Sequence, residues 1–394
     1  MPQHHLGSQF SPLYFLAALG AGGLSVSLFI YLMFLVPHPD TPLVTFHHLA
    51  AFLSQQAWWQ NLLVGAALMG IAWFAFWHFQ LLWWNLREFR HFRNTDTYQT
   101  LLNSNAEISL MAIPLTLAMS VNVLFVLGAL FIPHLWQVVE WLFPLAIAAF
   151  LAIGIAALRI LLRYFARILI GGSVDFTNNN SLSPMISLFA LSMIAVGLAA
   201  PAAMSQNTAT IAVAIALSLF FFTTTGLLLL IKLINGFGSM MASGIRESAS
   251  PSLWIMIPIL TLLGITTIRL THGLHHGFDN PLNAGSLFVL STSILSAQIL
   301  FGLLGYIVMQ RLGYFHHYLR GEIKDAGSFA LICPGVALFV FGMFFIHVGL
   351  VHSHVIDNGS VAYFTLMLPF ILIQLKTFQT FFQLRKRLLI QPAA

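Results

Sequence analysis

The chain contains ten apolar segments that are each long enough to cross a lipid bilayer as a helix. A membrane-spanning helix needs about 20 apolar residues. Charged residues make up only 7% of the 394 residues, against about 25% in a typical soluble domain. The sequence therefore predicts an all-α integral membrane protein, with a single transmembrane domain over 1–394. The predicted helices 1 to 10 lie near 11–36, 60–84, 106–131, 137–163, 182–203, 208–234, 251–272, 284–310, 326–352 and 361–384.

Lys and Arg residues are concentrated in alternate loops. Cytoplasmic loops are enriched in these residues, whereas the loops 37–59, 132–136, 204–207, 273–283 and 353–360 contain none. This pattern predicts five helical hairpins in the cell membrane, with both termini in the cytoplasm. The basic residues form no basic domain, so we expect the lipid bilayer and no nucleic acid as a partner. They are Arg87, Arg90, Arg93, Arg159, Arg163, Arg167, Lys232, Arg246, Arg311, Arg320, Lys324, Lys376, Arg385, Lys386 and Arg387.

Residues that disfavour regular helix interrupt the odd-numbered helices more than the even-numbered ones. Proline kinks a helix, and a kinked membrane helix requires its freed backbone groups to be buried in protein or to line a cavity. We therefore expect the odd helices to form a central inner ring around a transport path. Thr116 and Thr261 either line this path or bond to neighbouring helices. The interrupting residues are Gly22, Gly23, Pro114, Pro258, Pro334 and Gly335.

The arrangement of ten helices as five hairpins resembles the tellurite-resistance/dicarboxylate transporter family and its plant slow anion channel relatives. The resemblance rests on helix number, proline placement and segments such as Ile113–Pro114–Leu115–Thr116. It covers nearly the whole chain but includes no catalytic signature. It implies a central pore of five odd helices surrounded by five even ones, a homotrimer with one pore in each subunit, and location in the inner membrane of the cell.

Helix 9 departs from that resemblance. The family often places a phenylalanine beside a glycine here, where the ring plugs the pore, whereas this chain has Cys333 before Pro334 and Gly335. The sequence looks closer to the TsoY-type branch, in which some members are selenoproteins. That resemblance implies that Cys333 occupies the position selenium can take. Cys333 is the only cysteine, and it is either a small apolar side chain or a sulfur that faces the solute.

Arg269 and several histidines lie at the predicted outer ends of the helices. Arg269 either attracts anions into the mouth of a pore or extends to lipid headgroups. His272 and His276 are four residues apart, which is the spacing of metal ligands on one helical face. His347 lies near the predicted outer end of helix 9, at a similar depth in the membrane. These histidines form a metal site, a pH-sensitive mouth, or a polar interface without a special role.

The function that these features favour is a channel or transporter for a small anion, such as a sulfur- or selenium-related oxyanion. The predicted path contains Gly22, Gly23, Pro114, Thr116, Pro258, Thr261, Arg269, Cys333, Pro334 and Gly335. The alternatives are a membrane redox or metal-binding protein that uses Cys333 and the outward-facing histidines, and a membrane subunit that binds a partner. We expect no enzymatic activity and no cofactor.

Overall fold

The computed structural model describes residues 6–171 and 181–390, and this part of the chain holds ten helices long and apolar enough to span a membrane. No β-strand occurs within these two ranges. Helices 1 to 10 are Pro12–Leu35, Trp58–Phe92, Asn105–Phe131, Leu135–Gly171, Ser183–Met204, Thr208–Ser243, Glu247–Phe278, Ala284–Arg311, Ala326–Val351 and Val361–Leu388. Two short helices, Phe46–Gln55 and Asp96–Leu102, lie in the connecting loops.

The prediction of an all-α membrane fold with ten spanning helices is confirmed. Helices 1, 3, 5, 8 and 9 begin and end within one residue of their predicted bounds. Helices 2, 4 and 6 extend beyond their predicted ends at 84, 163 and 234 to Phe92, Gly171 and Ser243. The extensions of helices 2 and 4 carry Arg87, Arg90 and Arg167, because a helix can continue into the headgroup region after its apolar part has crossed the bilayer core.

All five odd helices begin with a 3-10 segment that continues directly into α-helix. The five 3-10 segments are Pro12–Tyr14, Asn105–Met111, Ser183–Met185, Glu247–Ile255 and Ala326–Leu331. Of the even helices, helix 4 has such a start, at Leu135–Val138. Helices 6, 8 and 10 instead begin with a side-chain cap from Asn207, Asn283 or Ser360 that accepts a backbone hydrogen bond.

The prediction that proline breaks the odd helices in their interior is wrong for three residues. Pro114, Pro258 and Pro334 are each the third residue of an α-helical segment that follows a 3-10 segment. Proline is tolerated in the first turn because the backbone N–H groups there have no partner in an α-helix. These prolines therefore mark the change from 3-10 to α-helix. The α-helical segment Phe15–Leu35 likewise runs without interruption through Gly22 and Gly23.

Within the described ranges, prolines lie inside α-helical segments of helices 4, 5 and 10, at Pro144, Pro201 and Pro369, and Pro251 lies inside the 3-10 segment of helix 7. The predicted contrast, in which the odd helices are interrupted more than the even ones, is therefore wrong for these prolines, since Pro201 and Pro251 lie in odd helices and Pro144 and Pro369 in even ones. The feature that the odd helices do share is the 3-10 start, which the sequence pattern did not predict.

The odd helices are more buried than the even ones. In the odd helices, 56–94% of the most apolar 18-residue window is buried, whereas in the even helices only 22–33% is. Each odd helix contacts the even helix that follows it, each contacts the next odd helix, and helix 9 contacts helix 1. Helix 5 is the most buried of all.

Buried hydrogen bonds join odd helices to even ones. His78 on helix 2 bonds through Nδ1 to the carbonyl of Ala18 and through Nε2 to the hydroxyl of Ser120, each at 2.8 Å. Gln298 on helix 8 donates to Thr261 Oγ1 at 2.6 Å, and Ser25 donates to the carbonyl of Ile71. Such bonds hold helices together where no water can replace them.

Glu107 forms an ion pair that links the start of helix 3 to the end of helix 4. Its side chain is 1% exposed, and its two carboxylate oxygens lie 2.7 Å from Arg163 Nε and 3.1 Å from Arg167 Nε. A buried carboxylate requires such partners. These two arginines therefore hold the helices together, in addition to marking a basic loop.

Candidate functional site

A large cavity of about 440 Å³ is lined mainly by residues of the odd helices. All five contribute to its wall, as shown by Gly23, Asn122, Met193, Arg269 and Cys333 from helices 1, 3, 5, 7 and 9. Helix 4 adds Phe143, Ala146 and Phe150, and the loop after helix 1 adds Pro42 and Leu43. The large cavity therefore lies between the most buried helices of the fold.

The wall of the large cavity is mostly apolar, with a few polar side chains. Arg269 is the only Lys, Arg, Asp or Glu that lines it within the described ranges. Its Nη1 donates to the carbonyl of Val196 on helix 5 at 2.8 Å, and no carboxylate of the described chain lies within ion-pair distance. His272 lies one turn further along helix 7, and Asn122 and Thr261 supply neutral polar groups.

A small cavity of about 140 Å³ lies among the starts of helices 1, 5, 7 and 9. Its polar side chains include Asp325 and three serines, Ser183, Ser248 and Ser252. Asp325 Oδ1 accepts a hydrogen bond from the backbone N–H of Gly327 at 3.0 Å. Burial raises the pKa of the Asp325 carboxyl, although the bond from Gly327 opposes this shift.

Three residues line both cavities: Phe189 on helix 5, Pro258 on helix 7 and Cys333 on helix 9. Phe189 is 5% exposed and Cys333 is 8% exposed. These residues therefore lie between the two cavities, and the Phe189 ring is the bulkiest of the three. Pro258 and Cys333 lie near the change from 3-10 to α-helix in their helices.

Seven of the residues predicted from the sequence lie on the cavity walls, namely six of the path and the metal-site candidate His272. Gly23, Thr261, Arg269 and His272 line the large cavity alone, and Pro334 lines the small one. Pro258 and Cys333 line both cavities. Thr261 also donates to the carbonyl of Ala337 at 3.0 Å.

Four predicted path residues lie at contacts between helices instead. A Cβ atom on Gly22 would come 2.7 Å from His78 Nδ1, and one on Gly335 would collide with Thr377 on helix 10. Thr116 Oγ1 lies 3.1 Å from the carbonyl of Phe15 and thus bonds helix 3 to helix 1. Pro114 is buried at the start of helix 3 and lines neither cavity.

The predicted metal ligands do not meet at one point. His276 is exposed, whereas His347 Nδ1 bonds to the carbonyl of Met343 and its Nε2 lies 2.7 Å from the Tyr363 hydroxyl. His272 lines the large cavity. Within residues 6–171 and 181–390, no group of three or more His, Cys, Asp or Glu side chains is placed to hold a metal ion.

Several wall residues were not predicted from the sequence. Phe189 is one of 36 phenylalanines, and no local pattern distinguishes it. Asp325 precedes helix 9 as its N-cap, and an acid in that place ordinarily indicates only capping. The large cavity also has four methionines in its wall, which are Met33, Met119, Met193 and Met204. Only their positions on odd helices could have indicated from the sequence that these methionines line the cavity.

No family model, curated protein or solved structure matches this chain. The likeness to the tellurite-resistance/dicarboxylate transporter family, and to its TsoY-type branch, therefore stays a prediction from the sequence. The ten long apolar helices within residues 6–171 and 181–390 indicate the class of the molecule, a multi-pass membrane protein.

Proposed function

We propose that this protein is a channel or transporter for a small anion, with a path through an inner ring of the five odd helices. The main support for this proposal is the large cavity, which all five odd helices line. Of the Lys, Arg, Asp and Glu residues in the described chain, only Arg269 lines it. A cation that faces a cavity without a carboxylate partner attracts anions and repels cations.

The proposed path runs from the large cavity, past Phe189, Pro258 and Cys333, into the small cavity. These three residues border both cavities, so a solute that crosses the protein between the odd helices passes them. A displacement of the Phe189 ring opens the connection in this proposal. The ring thus has the closing role that the family resemblance assigns to an aromatic residue of helix 9, but from helix 5.

The single cysteine allows a direct test of this path. Cys333 is the only thiol in the chain, so a thiol-directed methanethiosulfonate reagent can modify no other residue. We expect proteoliposomes with the wild-type protein to conduct anions and to lose that flux after modification. Cys333→Ala is the matched control and should keep its flux in the presence of the reagent. Full flux after complete modification of Cys333 would place the path elsewhere.

The solute panel should include chloride, nitrate, sulfite, thiosulfate and selenite. The proposal of a sulfur- or selenium-related oxyanion is supported by Cys333, whose polarisable sulfur borders both cavities. Flux that is no larger for these oxyanions than for chloride would remove that part of the proposal. Absence of flux for every anion in the panel would remove the function itself.

We further propose an inner-membrane location with both termini in the cytoplasm, and a homotrimer with one path in each subunit. The alternation of Lys and Arg along the loops supports the orientation. The trimer rests on the family resemblance. Mass measurement of the purified protein in lipid nanodiscs tests the trimer, and labelling of single cysteines introduced at 93 and 357 into Cys333→Ala tests the orientation.

A further inference from the structure

The large cavity is much larger than an inorganic anion requires. Its volume of about 440 Å³ falls in the range of about 300–1,000 Å³ that is typical of pockets for organic ligands. One water molecule takes up only about 30 Å³ of liquid volume. A chloride or nitrate ion would therefore leave most of this space to water or to another part of a larger solute.

Among Lys, Arg, Asp and Glu of the described chain, only Arg269 lines the large cavity. Arg269 donates one of its five N–H groups to Val196, which leaves donors for a ligand. His272 and Asn122 are further polar groups of the wall. A guanidinium with its fork of donors matches a carboxylate or a sulfonate group.

The remaining wall is apolar and adaptable. Phe29, Phe125 and Phe150 contribute aromatic rings, and the four methionines Met33, Met119, Met193 and Met204 contribute flexible thioethers. Methionine adapts to ligands of different shape, and an apolar wall favours burial of hydrocarbon. The same wall disfavours a second charge, because a buried charge without a partner loses its hydration without compensation.

From these three observations we propose that the large cavity binds an organic monoanion with an apolar body, its charged group at Arg269 and its body against the methionine and phenylalanine wall. This inference rests on the proposed function, since it names the class of solute that the path accepts. It selects small monocarboxylates and monosulfonates over dicarboxylates and over hydrated dianions such as sulfate, so among the sulfur-related anions of the proposed function it favours organic sulfonates over inorganic oxyanions.

The test is calorimetric titration of the purified wild-type protein with straight-chain carboxylates from propanoate to hexanoate. We expect affinity to increase about fourfold with each added methylene group, from the free energy of burying hydrocarbon. Hexanol and hexylammonium have the same body without the negative charge and should bind at least about tenfold more weakly, because they lack a charge-assisted bond. Hexanedioate, which carries a second carboxylate, should also bind more weakly than hexanoate.

Arg269→Gln should reduce the affinity for hexanoate by at least about tenfold. Arg320→Gln is the matched control, since it removes one positive charge from an exposed residue that lines neither cavity, and it should bind hexanoate as the wild type does. If Arg269→Gln does not fold, the rate at which a thiol reagent modifies Cys333 in the wild-type protein provides a second test. Hexanoate should slow this modification, and hexanol should not.

The inference and the proposed function fail separately. Anion flux that Cys333 modification blocks, combined with hexanoate affinity no greater than that for propanoate or sulfate, would overturn the inference and keep the function. Hexanoate binding that requires Arg269, without flux of any anion, would keep the binding site and overturn transport. Equal hexanoate affinity in Arg269→Gln and wild type would also overturn the inference.

Discussion

The two cavities between the odd helices differ in size and in the sign of their charge. The large cavity holds Arg269 in an apolar wall, whereas the small cavity holds Asp325 among serines. In the proposed function, Arg269 attracts the anion, and the carboxyl group of Asp325 repels an anion that proceeds past Phe189. The proposal therefore assigns binding of the anion to the large cavity and control of its passage to the small cavity.

The largest effect on anion flux is expected when the charge in the large cavity is removed. Arg269→Gln should lower anion flux by about 10- to 100-fold, because it removes charge-assisted hydrogen bonds worth about 1.5–3 kcal/mol. Initial rates in proteoliposomes measure this effect, with Arg320→Gln as the control. Equal rates in wild type and Arg269→Gln would show that the contrast in charge has no part in transport.

The contrast between the large and the small cavity also depends on which side of helix 9 faces them. Cys333 lines both cavities, whereas Gly335 lies against Thr377 on helix 10. We expect Gly335→Ala to destabilise the protein by about 1–3 kcal/mol, because an added methyl group overpacks this contact. Gly226→Ala is the control, since no atom lies within 4 Å of the added Cβ.

Thermal unfolding in detergent measures both glycine variants. A melting temperature that is lowered in Gly335→Ala but unchanged in Gly226→Ala supports the contact between helices 9 and 10. An unchanged melting temperature in both, together with reduced flux in Gly335→Ala, would instead indicate that residue 335 faces the path.

Phe189 separates the two cavities, so a smaller side chain there should join them. Phe189→Leu should increase anion flux severalfold, because the leucine side chain lacks the ring that lies between the cavities. Phe341→Leu is the control, as Phe341 is fully buried on helix 9 and lines neither cavity. Stopped-flow anion flux measures the change, and a lower flux in Phe189→Leu than in Phe341→Leu would contradict a closing role.

The smallest effect is expected from the acid of the small cavity. Burial raises the pKa of Asp325, so this carboxyl group becomes neutral at a higher pH than an exposed aspartate does. Anion flux should therefore increase as pH falls through that raised pKa, because protonation removes the repulsion. A single charge at the distance of a direct contact is worth about 1 kcal/mol in water, which corresponds to a change of about fivefold.

Asp325→Asn keeps the shape of this side chain without its charge. At neutral pH, the variant should show a higher anion flux than the wild type. It should also lose the part of the pH dependence that Asp325 causes. Asp40→Asn is the control, because Asp40 is exposed and its pKa is lowered by the bond to His48. A pH profile that is the same in Asp325→Asn and wild type would contradict the role of this acid.

The number of helices could be predicted from the sequence, and so could Arg269 as a candidate wall residue, because both follow from where charges can lie in a bilayer. The sequence could not predict which side of its helix faces a cavity and which faces a neighbouring helix. Gly22 and Gly23 are neighbours, yet Gly22 packs on His78 and Gly23 lines the large cavity. Successive residues of an α-helix point about 100° apart, and an almost uniformly apolar helix has no polar face to set its rotation.

The prolines illustrate a second limit. Pro258 is an obvious helix-disrupting residue in the sequence, but its effect depends on its place in the helix. The structure places it in the first α-helical turn, after the 3-10 segment Glu247–Ile255. Since apolar composition continues across that boundary, the sequence alone indicated an interior kink.

The 3-10 segments set how far the odd helices reach. A 3-10 helix rises about 2.0 Å per residue, whereas an α-helix rises about 1.5 Å. The nine residues Glu247–Ile255 therefore extend helix 7 by about 4.5 Å more than they would as α-helix. Pro258 keeps this extra length, because an α-helix continued back through Ile255 would require the N–H group that proline lacks. The 3-10 start is thus a fixed spacer that sets the level along helix 7 at which Arg269 lies.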